Sequence, residues 1–333
     1  MSTHQAVHVQ SASAALKLVD VETTSPPRDH VRLAVSACGI WGTDRAFISG
    51  AFPDMAWPLT PGHEIAELGA DVHNYVVGDR VAVGWFGGHC GKCIPCRKGD
   101  FIHCQNLQVP SWQYPGGYAE SVTVPANALA RIPDELSLAE AAPIGCAGVT
   151  TYHALRESRA VPGDRVAILG IGGLGHLGVQ FARAMGFETI AIARGLDKSD
   201  DARALGAHRY IDSTAGDVSE ALRGLGGVSV VLGTVGSASA MAETVGGLLP
   251  RGELIAIGVT AEPLPISPMQ LIVPGLSVTG HASGTARDVE ETMQFAVQSG
   301  VRARIQERPL DQAAEAYAAM EQGRARYRMV LTV

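Results

Sequence analysis

Hydrophobic and polar positions change their period along the chain. Residues 30–37 alternate, so Val31, Leu33, Val35 and Ala37 share one face and a half-buried strand is expected. Gly78 and Asp79 read as a turn entering a second strand over residues 80–83. The first 146 residues as a whole read as short strands joined by Gly- and Pro-rich turns. Ser137 and Glu140 then have capping-box spacing before Ala-rich sequence, which predicts a helix between two domains. From Gly163 the pattern becomes β-α-β. Residues 166–169 form a continuous apolar run, as in a strand buried on both faces of a parallel sheet. Leu174, Leu177, Phe181, Ala182 and Met185 recur at helical spacing up to Gly186, and residues 189–193 supply the next strand. Apolar runs at 228–232 and 253–258 continue the alternation toward Gly280. The tail predicts a helix from Arg287 to about Gly300, another over 311–323 and a strand over 327–331.

Length supports two domains, since 333 residues are divided at roughly 150 per domain. The 26 basic and 33 acidic residues give a net charge of −7. That balance offers no electrostatic ground for a nucleic-acid or anionic-membrane partner. No apolar run reaches the ~18 residues a spanning helix needs, and His4, Gln5 and His8 interrupt the start, so a cytoplasmic chain is expected.

Cys90, Cys93, Cys96 and Cys104 form Cys-x2-Cys-x2-Cys-x7-Cys, leaving only Cys38 and Cys146 elsewhere. Such spacing lets one loop wrap a tetrahedral Zn(II), and four thiolates leave no open position, so a structural zinc is expected.

The apolar run at 166–169 leads directly into Gly170-Ile171-Gly172-Gly173-Leu174-Gly175. A plain turn also uses glycines, but strand, G-x-G-x-x-G, helix and strand in that order suit a dinucleotide pyrophosphate. Ala193 closes the second strand, where an acidic side chain would accept the ribose 2′-OH. Arg194 and Lys198 follow, offering cations to a 2′-phosphate, so NADP(H) is the expected cofactor. Asp197 is near enough in sequence to take the acidic role instead.

Six motifs together resemble the zinc-dependent alcohol dehydrogenases of the medium-chain dehydrogenase/reductase superfamily. They are Gly39-Ile40-Trp41-Gly42-Thr43-Asp44, Pro61-Gly62-His63-Glu64, the four-Cys loop, Gly116-Gly117-Tyr118-Ala119-Glu120, residues 146–152 (Cys-Ala-Gly-Val-Thr-Thr-Tyr) and the glycine loop. The resemblance implies an α/β fold: a GroES-like, β-rich catalytic domain of residues 1–146 and 282–333, and a Rossmann doubly wound parallel sheet over 147–281. It also implies a small-molecule substrate, bound in the cleft between the domains, and a homo-oligomer, dimer or tetramer.

In that family a catalytic zinc is held by residues corresponding to Trp41, His63 and Cys146. Indole offers no lone pair in its ring plane, so Trp41 cannot be a ligand and its bulk should intrude on the metal's place. Cys38, three residues earlier, would need a rebuilt turn to replace it; Glu64 is the better substitute. Thr43 matches the family's proton-passing hydroxyl, while Ala46 stands where many members carry a relay His. Trp85, Phe86 and Trp112 correspond to the apolar lining of the substrate cleft.

Three functions follow from these residues. One is an NADPH-dependent reductase acting on a conjugated C=C, a C=N or an activated C=O with catalytic zinc lost or weakened. Another is an ordinary zinc-dependent alcohol or aldehyde dehydrogenase with the metal on His63, Cys146 and Glu64. The third is a cofactor-binding protein without catalysis, against which Thr43 and the intact glycine loop count.

Overall fold

The computed structural model describes residues 2–63, 65–68 and 75–333. Two compact units emerge, Met1–Val149 with Ser283–Val333, and Thr150–Ala282.

The first unit is built on the strand His30–Ile40, whose alternation buries Val31, Leu33, Val35 and Ala37 as its sequence predicts. At eleven residues it is long enough to take different partners along its length. Its start pairs antiparallel with Ser121–Pro125, its middle with Ile65–Leu68 and its end with Arg328–Thr332. The sheet continues through Arg80–Val83 to Ala130–Arg131 on one side and to Ile305–Pro309 on the other. The last strand of the chain thus lies beside the central strand of the first unit.

Ser137 caps the helix Leu138–Pro143 as expected: its Oγ accepts the Glu140 N–H at 3.2 Å, and Glu140 Oε2 accepts the Ser137 N–H at 3.1 Å. Pro143 then ends regular α geometry, and Ile144–Gly148 winds as a π turn that carries the buried Cys146. Gly84 packs so closely on this turn that a Cβ there would lie 2.1 Å from the Gly145 carbonyl oxygen.

The second unit is a six-stranded, wholly parallel sheet. Its order is Arg209–Asp212, Glu188–Ala193, Arg165–Leu169, Val228–Gly233, Leu248–Ala256 and Ser277–Gly280. Strand order turns back on the first strand of the unit, the doubly wound arrangement whose ligands bind at the carboxyl ends of the strands. The apolar run predicted at 166–169 is buried throughout. The fold is therefore α/β, a β-rich unit and a Rossmann-type sheet. Among the described residues no helix is long and apolar enough to cross a membrane.

Candidate active site, cofactor loop and cysteine cluster

His63 enters its site through Gly62, which adopts φ +104°. A Cβ at Gly62 would fall 2.6 Å from the Tyr118 ring and 2.7 Å from Cys38 Sγ, so only glycine lets the chain turn there. The His63 ring is fully buried, with Nδ1 3.1 Å from Asp44 Oδ1. Asp44 lies in the first turn of the helix Gly42–Ile48; its Oδ2 accepts the Trp41 N–H at 2.8 Å and the Tyr118 hydroxyl at 2.9 Å. Burial by itself would lower the His63 pKa, but the Asp44 carboxylate and then Cys146 overcome it and raise the value to about 10. Asp44 and Tyr118 lie within motifs legible in the sequence, yet their role in holding His63 does not follow from spacing.

Around this imidazole stands a ring of aromatic groups. Trp41 lies 5.6 Å away between centroids, Phe47 5.7 Å and Trp85 5.7 Å, the last two edge-on. Phe52 packs on Trp85 at 6.0 Å and on Trp112 at 4.7 Å. Trp85 and Trp112 thus join one apolar wall, to which Phe47 and Phe52 belong unannounced by any motif. Phe86 does not. Its ring stacks on His89 at 5.6 Å, and His89 in turn meets Phe101. Thr43 is buried one residue before Asp44, and the guanidinium of the buried Arg328 lies 5.8 Å from the Trp41 ring centre.

Among the described residues, the donors that a catalytic metal could use beside His63 are few. His63 Nε2 is buried without a hydrogen bond of good geometry, and Cys146 acts on the same ring. No third His, Cys, Asp or Glu among the described residues joins these two within 4.8 Å. Trp41 offers no acceptor, Cys38 Sγ turns toward the Gly39 carbonyl at 3.8 Å, and Glu64 lies outside the described residues. Two described donors do not make the usual three-ligand site.

In the second unit the glycines of the loop have distinct duties. Gly170 adopts φ +94°, and a Cβ on Gly175 would fall 1.7 Å from the Gly170 carbonyl oxygen. A Cβ at Gly172 would meet nothing within 4 Å, which leaves its backbone open to a ligand. Gly173 and Leu174 lead into the helix Gly175–Ala184, whose start has no side-chain cap; the His176 and Leu177 N–H groups donate to the Gly172 and Leu174 carbonyls at 3.0 Å each. Ala193 ends its strand buried, and Arg194 beside it is exposed. Lys198 Nζ donates to the Ile171 carbonyl at 2.8 Å, which ties it to the glycine loop itself. Asp197 is exposed, while Asp212 accepts the Gly195 N–H at 2.7 Å and the Thr214 N–H at 2.8 Å. The Thr214 bonds, ahead of Gly195's, hold the Asp212 carboxyl below its ordinary pKa.

The four cysteines of the loop converge. Sγ–Sγ separations are 3.4 Å for Cys93–Cys96, 3.8 Å for Cys93–Cys104 and 3.6 Å for Cys90–Cys104. Thiolates about 2.3 Å from a tetrahedral ion stand about 3.8 Å apart, so this donor set fits Zn(II). Backbone N–H groups of Lys92 and Cys93 lower the Cys90 pKa to about 6, whereas burial and the neighbouring sulfurs push Cys96 up to about 12. Four thiolates this close would repel one another, and a divalent ion bound among them offsets that charge.

Residues 27–134 match the alcohol dehydrogenase GroES-like domain, and residues 173–298 match the zinc-binding dehydrogenase family. The alcohol dehydrogenase patD of Penicillium expansum is 38% identical over 336 residues, covering 100% of this chain and 98% of that protein. The NADP-dependent alcohol dehydrogenase C 1 of Mycolicibacterium smegmatis is 31% identical over 344 residues, 99% of this chain and 98% of that protein. Among solved structures, a cinnamyl alcohol dehydrogenase of Sorghum bicolor aligns with TM-score 0.91 and 28% identity over 99% of this chain and 98% of its own. Likeness over the full length, in both domains and at that identity, means that this chain belongs to the zinc-dependent alcohol dehydrogenase family of medium-chain oxidoreductases.

Proposed function

We propose that this oxidoreductase uses NADP(H) and delivers hydride to a polarised double bond, a conjugated C=C, a C=N or an activated C=O, with its catalytic zinc lost or weakened. Trp41 carries this reading. It takes the place of one ligand, and an indole cannot coordinate the ion that His63 and Cys146 would share. An ordinary carbonyl needs its oxygen polarised as alkoxide charge develops, whereas a conjugated or cationic acceptor spreads that charge itself.

The chain's own groups then divide the work. The backbone of Gly170, Gly172, Gly173, Leu174 and Gly175 receives the pyrophosphate. Ala193 presents no carboxylate to a 2′-phosphate, Arg194 pairs with it, and Lys198 keeps the loop in place. NADPH, when bound, supplies the hydride. Thr43 gives its hydroxyl proton to the atom that gains the electron pair and is reprotonated from solvent, since Ala46 provides no relay. Trp85 and Trp112 select an apolar substrate. The four cysteines hold a structural zinc outside this chemistry. Exposed Met269, Ile272 and Val273 favour a homo-oligomer.

A second reading rests on Nε2 of His63. Its burial without a hydrogen bond of good geometry, while Asp44 engages Nδ1, suits a metal-binding imidazole and favours an ordinary alcohol dehydrogenase with the ion on His63, Cys146 and Glu64. Zinc per chain after exhaustive dialysis, measured beside NADPH consumption, separates the two. One zinc, with turnover of enals or iminium ions and none of simple alcohols, supports the first reading; two zincs with alcohol oxidation overturn it in favour of the second.

A further inference from the structure

Away from the His63 pocket and the cysteine loop, a third group of potential metal ligands converges. His153 and Glu157 are one helical turn apart at the end of the helix Val149–Arg156, with the Glu157 N–H donating to the His153 carbonyl at 2.9 Å. His281 directly follows the strand Ser277–Gly280 and is fixed by its N–H to the Ala256 carbonyl at 3.1 Å. Its ring stacks on that of His153, with centroids 5.6 Å apart and planes at 29°. Glu157 faces both rings, 3.4 Å from Nδ1 of His153 and 3.7 Å from Nδ1 of His281.

We propose that His153, Glu157 and His281 bind a divalent transition-metal ion of the zinc type. Both nitrogen–oxygen separations exceed the ~2.7–3.2 Å of an N–H···O hydrogen bond. They match instead the spacing of donors around a common centre. Ligand atoms about 2.1 Å from a tetrahedral ion stand about 3.4 Å apart. One donor atom from each of the three residues lies within 4.8 Å of the other two, so small side-chain rotations complete the geometry. Two imidazoles and a carboxylate suit Zn(II), Ni(II) or Cu(II) and disfavour Ca(II), which wants more oxygen donors. The His153 and His281 side chains are only 12% and 17% exposed, which fixes them, whereas Glu157 is 59% exposed. An ion can therefore reach the site past the carboxylate and keep water in its fourth position.

The place of the cluster gives it a purpose. The second unit begins at Thr150 and ends at Ala282, so His153 and His281 lie close to the two points where the chain enters and leaves it. One ion would clip the unit's opening helix to its closing strand. Bound only by the folded chain, it would raise stability with the logarithm of free ion concentration over its dissociation constant.

The test uses untagged, full-length protein freed of loosely bound metal by dialysis. Equilibrium dialysis against Zn(II) should load the parent with about one equivalent more than either His153→Ala or His281→Ala, and Glu157→Gln should weaken that equivalent about tenfold or more. Cu(II) at this site should give an electron paramagnetic resonance spectrum with hyperfine structure from two nitrogens, absent from both His variants. Zn(II) should raise the melting temperature of the parent and leave the His variants unmoved. Equal zinc binding by parent and variants, or an unchanged melting shift in them, overturns the proposal. The His variants keep the four cysteines and the glycine loop, so retained structural zinc and NADPH binding certify that they fold.

Discussion

Asp44 and His63, nineteen residues apart, meet at 3.1 Å with both side chains fully buried. The carboxylate also takes the Trp41 N–H and the Tyr118 hydroxyl, so one side chain links a helix start, the Pro-Gly-His segment and the Gly-Gly-Tyr segment. Removing one partner of such a buried pair leaves the others unsatisfied, at a cost of about 3–5 kcal/mol. Asp44→Ala should therefore lower stability to denaturant by that order. Asp44→Asn, which keeps an acceptor for Tyr118, should lose less.

Under the proposed reading, Trp41→Cys adds a thiolate donor beside His63 and Cys146. Elemental analysis should find one zinc more per chain than in the parent, and oxidation of simple alcohols should appear or rise. An unchanged zinc count would mean that the position is already filled in the parent or is lost for a reason other than Trp41.

Cofactor choice should rest on Arg194. A charge-assisted hydrogen bond contributes about 1.5–3 kcal/mol, so Arg194→Ala should raise KM for NADPH by about tenfold to a hundredfold and leave NADH nearly unaffected. Lys198→Ala, which frees the Ile171 carbonyl, should weaken both cofactors together.

Cys96→Ser takes one sulfur from a set whose members stand 3.4–3.8 Å apart. Loss of one zinc equivalent and a lower melting temperature are expected, since the ion's binding energy is folding energy for its loop. Chelator treatment of the parent should reproduce that melting shift.

Asp212 connects the end of one strand to the loop after Ala193 through the Gly195 N–H. Its folded pKa lies below the ordinary value of 3.8. The stability it contributes is complete above that value and is lost as pH falls through the folded pKa. Acid titration should accordingly show less pH-dependent loss of stability below about pH 4 for Asp212→Asn than for the parent.

Features set by neighbouring residues were legible in the chain. Alternation buried Val31, Leu33 and Val35, the Ser137–Glu140 spacing capped its helix, and the apolar run before Gly170 became a strand of the parallel sheet. Each of these depends on backbone period or on contacts a few residues long, and such terms are written locally. The convergence of Cys90, Cys93, Cys96 and Cys104 belongs with them, because one short loop brings all four together.

Contacts across distant segments had no such record. The Tyr118 hydroxyl reaches Asp44 across 74 positions, and His281 meets Glu157 only because a parallel sheet returns the chain to the helix at its start. Trp85 and Phe86 are adjacent and both aromatic, yet one faces His63 and the other His89. Sequence by itself determined the elements, the glycine loop and the four-cysteine cluster of this dehydrogenase. Which side chains surround His63, and what binds Lys198, were decided by strand pairing and packing, whose energies depend on partners that no local pattern names.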